Sequence, residues 1–363
     1  MDIPSKHIMI VLPHLLCGGT ERTAAELANF IAGEGQKVSI LLMYKKEIFY
    51  DLHQDVNIIE PSFNRKGLGR YFYIPLLIFF LRSQFKYQKP DIILAFGYIA
   101  FALFSSIGFK TKVIISFRSS PTRIRFPGNR ALNATYKFAH NIMRKRVDGI
   151  IAQTFIAAEA YKKKYTCPVV TIPNFLRKIT EYSSERLNHI ITVGRCSREK
   201  GQHYLIEAFS ILDAPDWNLI IVGDGPKRNE LEKLASKLKI ADRVIFTGFQ
   251  KDVDYYLSQS KIFALTSEIE GFPNALIEAM ANLLAPVSFN CVAGPSEIIQ
   301  HGRNGFLVEV GNIKDLAYYL SRLIDNEELR NSISSNASNV KTVYSLHTLG
   351  MRYLDFMLSV LRT

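Results

Sequence analysis

Short apolar runs alternate along this chain with stretches of helical periodicity, and that alternation limits the folds open to it. In the first half the runs are His7–Leu12, Val38–Leu42, Ile92–Phe96, Val113–Ser116, Gly149–Gln153 and Val169–Ile172. In the second half they are His189–Val193, Leu219–Val222, Arg243–Phe246, Ile262–Leu265 and Pro286–Phe289. Strands that are apolar throughout are buried on both faces, and strands separated by helices pair in parallel with the helices covering both sides of the sheet. At 363 residues the chain exceeds what one hydrophobic core serves. The expected architecture is therefore α/β, with two Rossmann-like domains facing a cleft. The polar stretch Arg177–Asn188 divides the two series and reads as their linker. This gives an N-terminal domain over residues 1–175 and a second over residues 188–345. In sheets of this kind ligands bind beyond the carboxyl ends of the strands, so the loops that follow strands carry the functional expectation.

Charge is distributed unevenly. The formal net charge is +12, and lysines and arginines crowd the stretch from Arg65 to Lys164 against only Asp91, Asp148 and Glu159. Such asymmetry points to an anionic partner, whether nucleic acid, anionic lipid or a phosphate-bearing substrate; general solubility is the plainer alternative. The uncharged stretch from Ile92 to Phe109 is nearly long enough to span a bilayer. Gly97 divides it into a β-like and a helix-like half, and a strand pattern resumes after Lys110, so a buried strand–helix–strand unit is expected. The stretch "RYFYIPLLIFFLRSQF", Arg70 to Phe85, is too short to span and carries arginine near both ends. It fits an interfacial amphipathic helix and a buried helix equally. Four cysteines without C-x-x-C spacing and no signal-peptide pattern suggest a reduced, cytoplasmic protein.

Three strand-following loops carry chemistry. After the first run comes "CGGTE", where Gly18-Gly19 permits close backbone approach and Thr20 is a candidate N-cap. It lacks G-x-G-x-x-G, which argues against a nicotinamide or flavin site. After His189–Val193 comes "GRCSREKG", whose Arg195 and Lys200 could neutralise a diphosphate. After Ile262–Leu265 comes "SEIEGFPNALIEAM", with Glu270 and Glu278 separated by seven residues. Gly271 and Pro273 break helical continuity, so a helix should begin near Pro273 or Asn274. Glu270 would then lie on the loop and Glu278 just inside the helix, near N–H groups that favour an anion. Asp252–Asp254, "DVD", is read as helix capping and dipole complementation in preference to a metal site. His14, His140, His203 and His301 lack ligand-like spacing, so no metal is expected.

The ordered set "GGTE", "VGRCSREKG", "VGDGP", "FTGF…DV" and "EGFPNALIEAM" resembles the retaining family 4 glycosyltransferases of the GT-B fold, over essentially the whole chain. The resemblance implies sugar transfer from a nucleotide diphosphate sugar without a metal or other cofactor. It implies that Arg195 and Lys200 hold the diphosphate, Glu278 the ribose hydroxyls and Glu270 the donor sugar. The backbone of Phe272, Pro273, Asn274 and Ala275 would line the same pocket. Gly18 and Gly19 would face the phosphates from the opposite domain, and Gly248, Phe249 and Val253 would meet the base. Glu297, after Gly294-Pro295-Ser296, would be structural, and a terminal helix over residues 346–363 would return to the N-terminal domain. Many relatives carry a histidine after the strand equivalent to "VIISF"; here Arg118 is the nearest match. A guanidinium cannot serve as a base, but it could hold a donor or acceptor phosphate. If attack occurs on the donor's front face with help from the leaving phosphate, no protein nucleophile is needed.

The leading functional expectation is transfer of a hexose or N-acetylhexosamine to a polyprenyl diphosphate-linked or other anionic glycan acceptor. The family's common donors favour UDP over GDP. Cytoplasmic location, peripheral on the inner face of an anionic membrane, follows from the basic first half. A GT-B epimerase or phosphorylase is the alternative on the same fold. A nucleic-acid binder explains the charge but leaves Glu270 and Glu278 without a purpose.

Overall fold

In a computed structural model the chain is described over residues 5–63, 65–118, 141, 143–183, 185–292 and 294–362. Arg123, Arg125, Arg130, Lys137 and His140 lie outside the described residues, as does the side chain of Arg70. The chain divides into two compact units, one of Met1–Phe175 with Leu346–Thr363 and one of Leu176–Ser345.

The first unit is built on strands β1 (His7–Leu12), β2 (Lys37–Leu42), β3 (Val56–Ile59), β4 (Ile92–Phe96), β5 (Lys112–Phe117), β6 (Gly149–Ala152) and β7 (Val169–Thr171). They form one parallel sheet in the order β3-β2-β1-β4-β5-β6-β7. Every residue of β1 and β4 is buried, which is why these segments read as unbroken apolar runs. One face packs Met9, Val11, Ile93 and Val113 against Tyr73, Leu77 and Phe85 of the helix Arg65–Gln88. The helix Gly19–Gly33 packs along the terminal helix Leu346–Arg362, with Phe30 edge-on to His347. The stretch feared as a membrane span folds as β4, the helix Ile99–Ser105 and β5, as its sequence suggests. Among the described residues no helix is long and apolar enough to cross a membrane.

The second unit holds β8 (His189–Val193), β9 (Asn218–Val222), β10 (Val244–Gly248), β11 (Ile262–Leu265), β12 (Ala285–Phe289) and β13 (Phe306–Val308). Its parallel sheet runs β10-β9-β8-β11-β12-β13. The helix Ile313–Asp325 is N-capped by Asn312, which accepts from the Asp315 N–H at 3.1 Å, and buries Leu316, Leu320 and Leu323. Arg330 closes the other end of that helix: its Nη1 donates to the Leu323 and Ile324 carbonyls at 2.6 and 3.2 Å. Its guanidinium also lies over the Trp217 ring.

Four local expectations change. β3 is an edge strand with Asn57 and Ile58 exposed, so it presents no apolar run, and β13 has only three residues. Arg243 closes a short 3₁₀ turn, its Nη1 donating to the Ala214 carbonyl at 2.8 Å, and β10 starts one residue later. Thr20 is not the first N-cap. The helix starts at Gly19, with Gly18 as its N-cap and no side-chain cap; the Tyr50 hydroxyl fixes Gly18, accepting from its N–H and donating to its carbonyl at 2.8 Å each. The stretch expected as a linker is anchored in the second unit. Leu176 N–H donates to the Tyr344 carbonyl and Leu187 N–H to the Gln259 carbonyl, while Arg186 reaches the carbonyls of Ser260 and Asn282. The polar stretch read as a linker thus carries cations, Arg177 and Arg186, with buried acceptors.

Gly223, at the end of β9, shows how tightly the strand ends are laced. Its N–H donates to the Gly248 carbonyl at 2.9 Å, its φ is +138°, and an added Cβ would lie 2.0 Å from the Gly194 carbonyl oxygen. Gly223→Ala combines strain of about 1–3 kcal/mol with that overlap. Calorimetry is expected to show a loss of several degrees in the melting of the second unit, at about 2–4 °C per kcal/mol. An unchanged melting temperature would contradict the packing described.

Candidate active site

In the second sheet the chain moves outward from β8 through β9 to β10, then returns to the other side of β8 with β11. The loops after β8 and β11 therefore diverge to opposite faces, and a crevice opens between them at the strands' carboxyl ends. The loop after β8 carries Arg195 and Lys200; the loop after β11 carries Glu270. They meet there, with Lys200 Nζ 2.6 Å from Glu270 Oε1. The Glu270 side chain is 9% exposed and that of Lys200 28%, so the carboxylate is largely shielded from water while the ammonium keeps partial access to it.

Backbone hydrogen bonds hold the two loops in register. Glu268 N–H donates to the Glu199 carbonyl at 2.9 Å, and Thr266 Oγ1 donates to the Lys200 carbonyl at 3.3 Å. On the other side, Cys196 N–H donates to the Asp224 carbonyl and Lys227 N–H to the Cys196 carbonyl, tying the Arg195 loop to the Gly-Asp-Gly-Pro turn after β9. Arg195 itself is exposed, its carbonyl accepting from Gln202 Nε2 at 3.0 Å. Its position is thus fixed through the backbone while its guanidinium faces outward.

The helix begins at Asn274, with Pro273 in the capping position and no side-chain cap. Its first turn is partly bonded within itself: the Asn274 N–H donates to the Phe272 carbonyl and the Leu276 N–H to the Pro273 carbonyl, at 3.0 Å each. Phe272 and Pro273 are buried beneath this turn, Phe272 against Tyr344 at 5.8 Å between ring centroids. Gly294 approaches from the loop after β12: its φ is +117°, and a Cβ there would lie 2.5 Å from Pro273 Cδ. The short helix Pro295–Ile298 that follows has Glu297 in its first turn, as its sequence suggests. Cys291 lies on the same loop. Burial, and then the Glu270 carboxylate, push its thiol up to about 12, so it is an unreactive neighbour of the pair.

Glu278, the fifth residue of the helix, is buried to the same degree as Glu270. Its partner was not apparent in the sequence. Arg177 Nε lies 3.3 Å from Glu278 Oε2, while Arg177 Nη1 and Nη2 donate to the two oxygens of Asp254, the latter at 2.7 Å. Asp254 also accepts from the Thr180 N–H at 2.8 Å and from Asn282 Nδ2 at 3.3 Å. One guanidinium thus bridges two carboxylates from different helices. Burial pushes the Asp254 carboxyl up, but the Arg177 and Thr180 hydrogen bonds outweigh it and hold the pKa below its ordinary value. "DVD" accordingly splits into two roles. Asp252 caps the helix Val253–Ser258, accepting from the Tyr255 N–H, as expected; Asp254 is buried and binds Arg177 in place of complementing the helix dipole. Among the described residues no three His, Cys, Asp or Glu side chains cluster as a metal site would require.

Gly248, Phe249 and Val253 stand at the end of β10, two strands from β8, with Phe249 exposed. Gly18, Gly19 and Arg118 belong to the first unit, at the carboxyl ends of β1 and β5. Arg118 Nη1 donates to Tyr353 Oη at 3.1 Å and its guanidinium lies 5.2 Å from the Phe96 ring centroid. Its Nε and Nη2 are shielded from solvent and have no hydrogen-bond partner among the described residues. Burial lowers its pKa and Tyr353 opposes the shift.

Removing Arg177 leaves Asp254, whose side chain is 2% exposed, without its counter-ion. Arg177→Met is expected to destabilise the second unit by about 3–5 kcal/mol in urea denaturation at pH 7. The wild-type pair adds stability above the unfolded carboxylate pKa of about 3.9 and loses it as pH falls through the lower folded value. In the variant, only the Thr180 and Asn282 hydrogen bonds oppose burial, so the Asp254 pKa rises relative to the wild type. The deficit relative to wild type should therefore narrow on acidification below about pH 4. A deficit independent of pH would sink this account of Arg177.

The chain matches a family model described as Glycosyltransferase Family 4 over residues 17–178 and one described as Glycosyl transferases group 1 over residues 177–340. It is 30% identical over 338 residues to an uncharacterized glycosyltransferase of Haemophilus influenzae, covering 92% of this chain and 94% of that protein. It is 24% identical over 358 residues to a Campylobacter jejuni protein, covering 94% of this chain and 96% of that one. That protein is named N-acetylgalactosamine-N,N'-diacetylbacillosaminyl-diphospho-undecaprenol 4-alpha-N-acetylgalactosaminyltransferase. Among solved structures, Anabaena HepE in complex with UDP matches with a TM-score of 0.79 at 20% identity, over 98% of this chain and 100% of that one. With two parallel Rossmann-like sheets, a laced crevice at the second sheet's switch point and these matches along its length, the chain belongs to the family 4 glycosyltransferases of the GT-B fold.

Proposed function

We propose that this glycosyltransferase moves a hexose or N-acetylhexosamine from a nucleotide diphosphate sugar, with UDP as the nucleotide, to a lipid-linked saccharide, and that it retains the anomeric configuration without a metal. The observation that carries the reading is the Lys200–Glu270 pair at the switch point, on the loops that lead into the helices Gln202–Ser210 and Asn274–Ala281. A diphosphate needs cations and N–H donors, and a sugar needs a fixed acceptor for its hydroxyls; the two loops supply both within one crevice. The acceptor reading draws support from the Campylobacter jejuni relative, whose name specifies a diphospho-undecaprenol-linked saccharide. The nucleotide reading draws support from HepE, solved with UDP.

In this mechanism Lys200 and Arg195 stabilise the charge that grows on the diphosphate as the bond from the anomeric carbon to the phosphate oxygen breaks. Glu270 orients the sugar and holds Lys200 in place until the diphosphate arrives. Glu278, steadied by Arg177, receives the ribose hydroxyls. The acceptor hydroxyl attacks the face that the diphosphate is leaving and passes its proton to a phosphate oxygen, so no side chain need act as nucleophile or base. Metal is dispensable because the two cations and the helix-start N–H groups meet the diphosphate's charge. Arg118, with two unpartnered N–H groups among the described residues, binds a phosphate of the donor or acceptor. The protein works in the cytoplasm, on the inner face of the membrane.

Lys200→Ala and Glu270→Ala are each expected to lower kcat/KM for sugar transfer by about 10²–10³-fold, the loss typical of one transition-state electrostatic contact. Far-UV circular dichroism should remain that of the folded protein. Near-normal rates in either variant would remove the assigned roles. Thermal-shift measurements against UDP-, GDP- and ADP-sugars should show the largest stabilisation with a UDP-sugar. Release of UDP with a lipid-linked acceptor, and an axial or equatorial product bond matching the donor's, would establish transfer with retention. An inverted product would overturn the front-face mechanism.

A further inference from the structure

The helix Arg65–Gln88 buries Tyr73, Leu77, Leu81 and Phe85 against the first sheet. At 100° per residue, the opposite arc holds Phe72, Leu76, Phe79, Lys86 and Tyr87, all exposed. Phe72 and Phe79 are each 73% exposed and Tyr87 is 80% exposed, so the aromatic rings stand clear of the unit's core. Contiguous exposed apolar groups of this size mark an interaction surface, because a solvated helix face gains nothing from them.

Lys86 continues this arc into a cavity of about 510 Å³ formed with Lys89, Lys110, Lys112, Phe85 and Phe109. It opens at the amino ends of β4 and β5, the edge opposite the strand ends that carry Arg118. Among the described residues Lys86, Lys89 and Lys110 make no ion pair, whereas Lys112 lies 3.7 Å from Asp148. Asp91, the one acid in the cavity wall, accepts from the His7 N–H at 2.8 Å. Arg82, which the sequence offered as a surface cation, is held inward. Its Nη1 donates to the Ser105 and Ile107 carbonyls at 3.1 and 2.9 Å, and its guanidinium lies over the Phe109 ring.

We propose that this face docks on an anionic bilayer, with Phe72, Leu76 and Phe79 entering the headgroup–acyl boundary and the lysine-lined cavity taking lipid phosphates. An apolar strip continuous with unpaired lysines matches the two layers a bilayer presents, apolar chains beneath anionic headgroups. Exposed Tyr87, on the same arc, is suited to the interface, with an apolar ring and a polar tip. Docking rests on the lipid-linked acceptor reading, holding the enzyme at the membrane in which such an acceptor lies, and it can be measured without any acceptor present.

Flotation of the full chain with phosphatidylglycerol-containing vesicles that lack polyprenyl lipids tests it. The protein is expected to float with these vesicles, to float poorly with pure phosphatidylcholine and to be released by salt. Phe72→Ser with Phe79→Ser, and separately Lys86→Glu with Lys89→Glu and Lys110→Glu, should each lower the bound fraction about tenfold or more. Both variants should keep the wild-type thermal shift with a UDP-sugar, showing that they are folded. Failure of the wild type to float, equal flotation with neutral vesicles, or wild-type flotation by either folded variant overturns the proposal. An inactive transferase that still floats would refute the transfer reading and leave docking in place.

Discussion

Parallel pairing of β8 with β9 on one side and β11 on the other is the constraint on which the second unit's site depends. Parallel strands must be buried on both faces, so the chain leaves each carboxyl end and crosses to a helix before returning. Where the direction of winding reverses, two successive loops separate and leave a gap lined by backbone. Lys200 and Glu270 fill that gap because each is the side chain its loop delivers there. Hydrogen bonds from Glu268 N–H and Thr266 Oγ1 keep the loops from drifting apart.

The charged groups around the second unit's switch point are arranged in pairs, with Arg195 as the exposed exception. Lys200 is paired with Glu270, which limits the cost of holding either charge away from water. Arg195 is exposed, so its charge is available to a ligand. Arg177 is shared between Glu278 and Asp254, which gives both carboxylates a fixed orientation, so each of these buried acids has a cation that orients it.

The first unit uses the same sheet architecture with different charge chemistry. The Tyr50 hydroxyl fixes Gly18 ahead of its first helix, and its strand-end arginine, Arg118, is backed by Phe96 and Tyr353, with Glu21 and Arg22 acting on it electrostatically. Cations lie at both ends of its strands: Arg118 at the carboxyl ends and four lysines at the amino ends of β4 and β5. Basic charge that crowds the stretch from Arg65 to Lys164 in the sequence is divided by the fold into separate surfaces. Arg82 and Arg146 belong to neither, since both donate to backbone carbonyls around the 105–111 turn.

Most of the architecture was legible because burial writes itself into residue order. A strand covered on both sides must be apolar throughout, so β1, β4, β8 and β12 could be read directly, while β3, exposed at an edge, could not. The loop positions of Arg195, Lys200 and Glu270, and the start of the helix at Asn274, followed from glycine, proline and strand ends, all of which act locally. By itself, then, the amino-acid order determined the α/β class, the two series of strands and the strand-end loops that bear charged groups. Only the tertiary structure decided which charges meet. Arg177 and Asp254 lie 77 positions apart in the chain, and no periodicity records that contact. The same holds for Lys200 with Glu270 and for Arg82 turning inward. Coulomb and hydrogen-bond partners are selected by distance in space, and that distance exists only after the strands have paired.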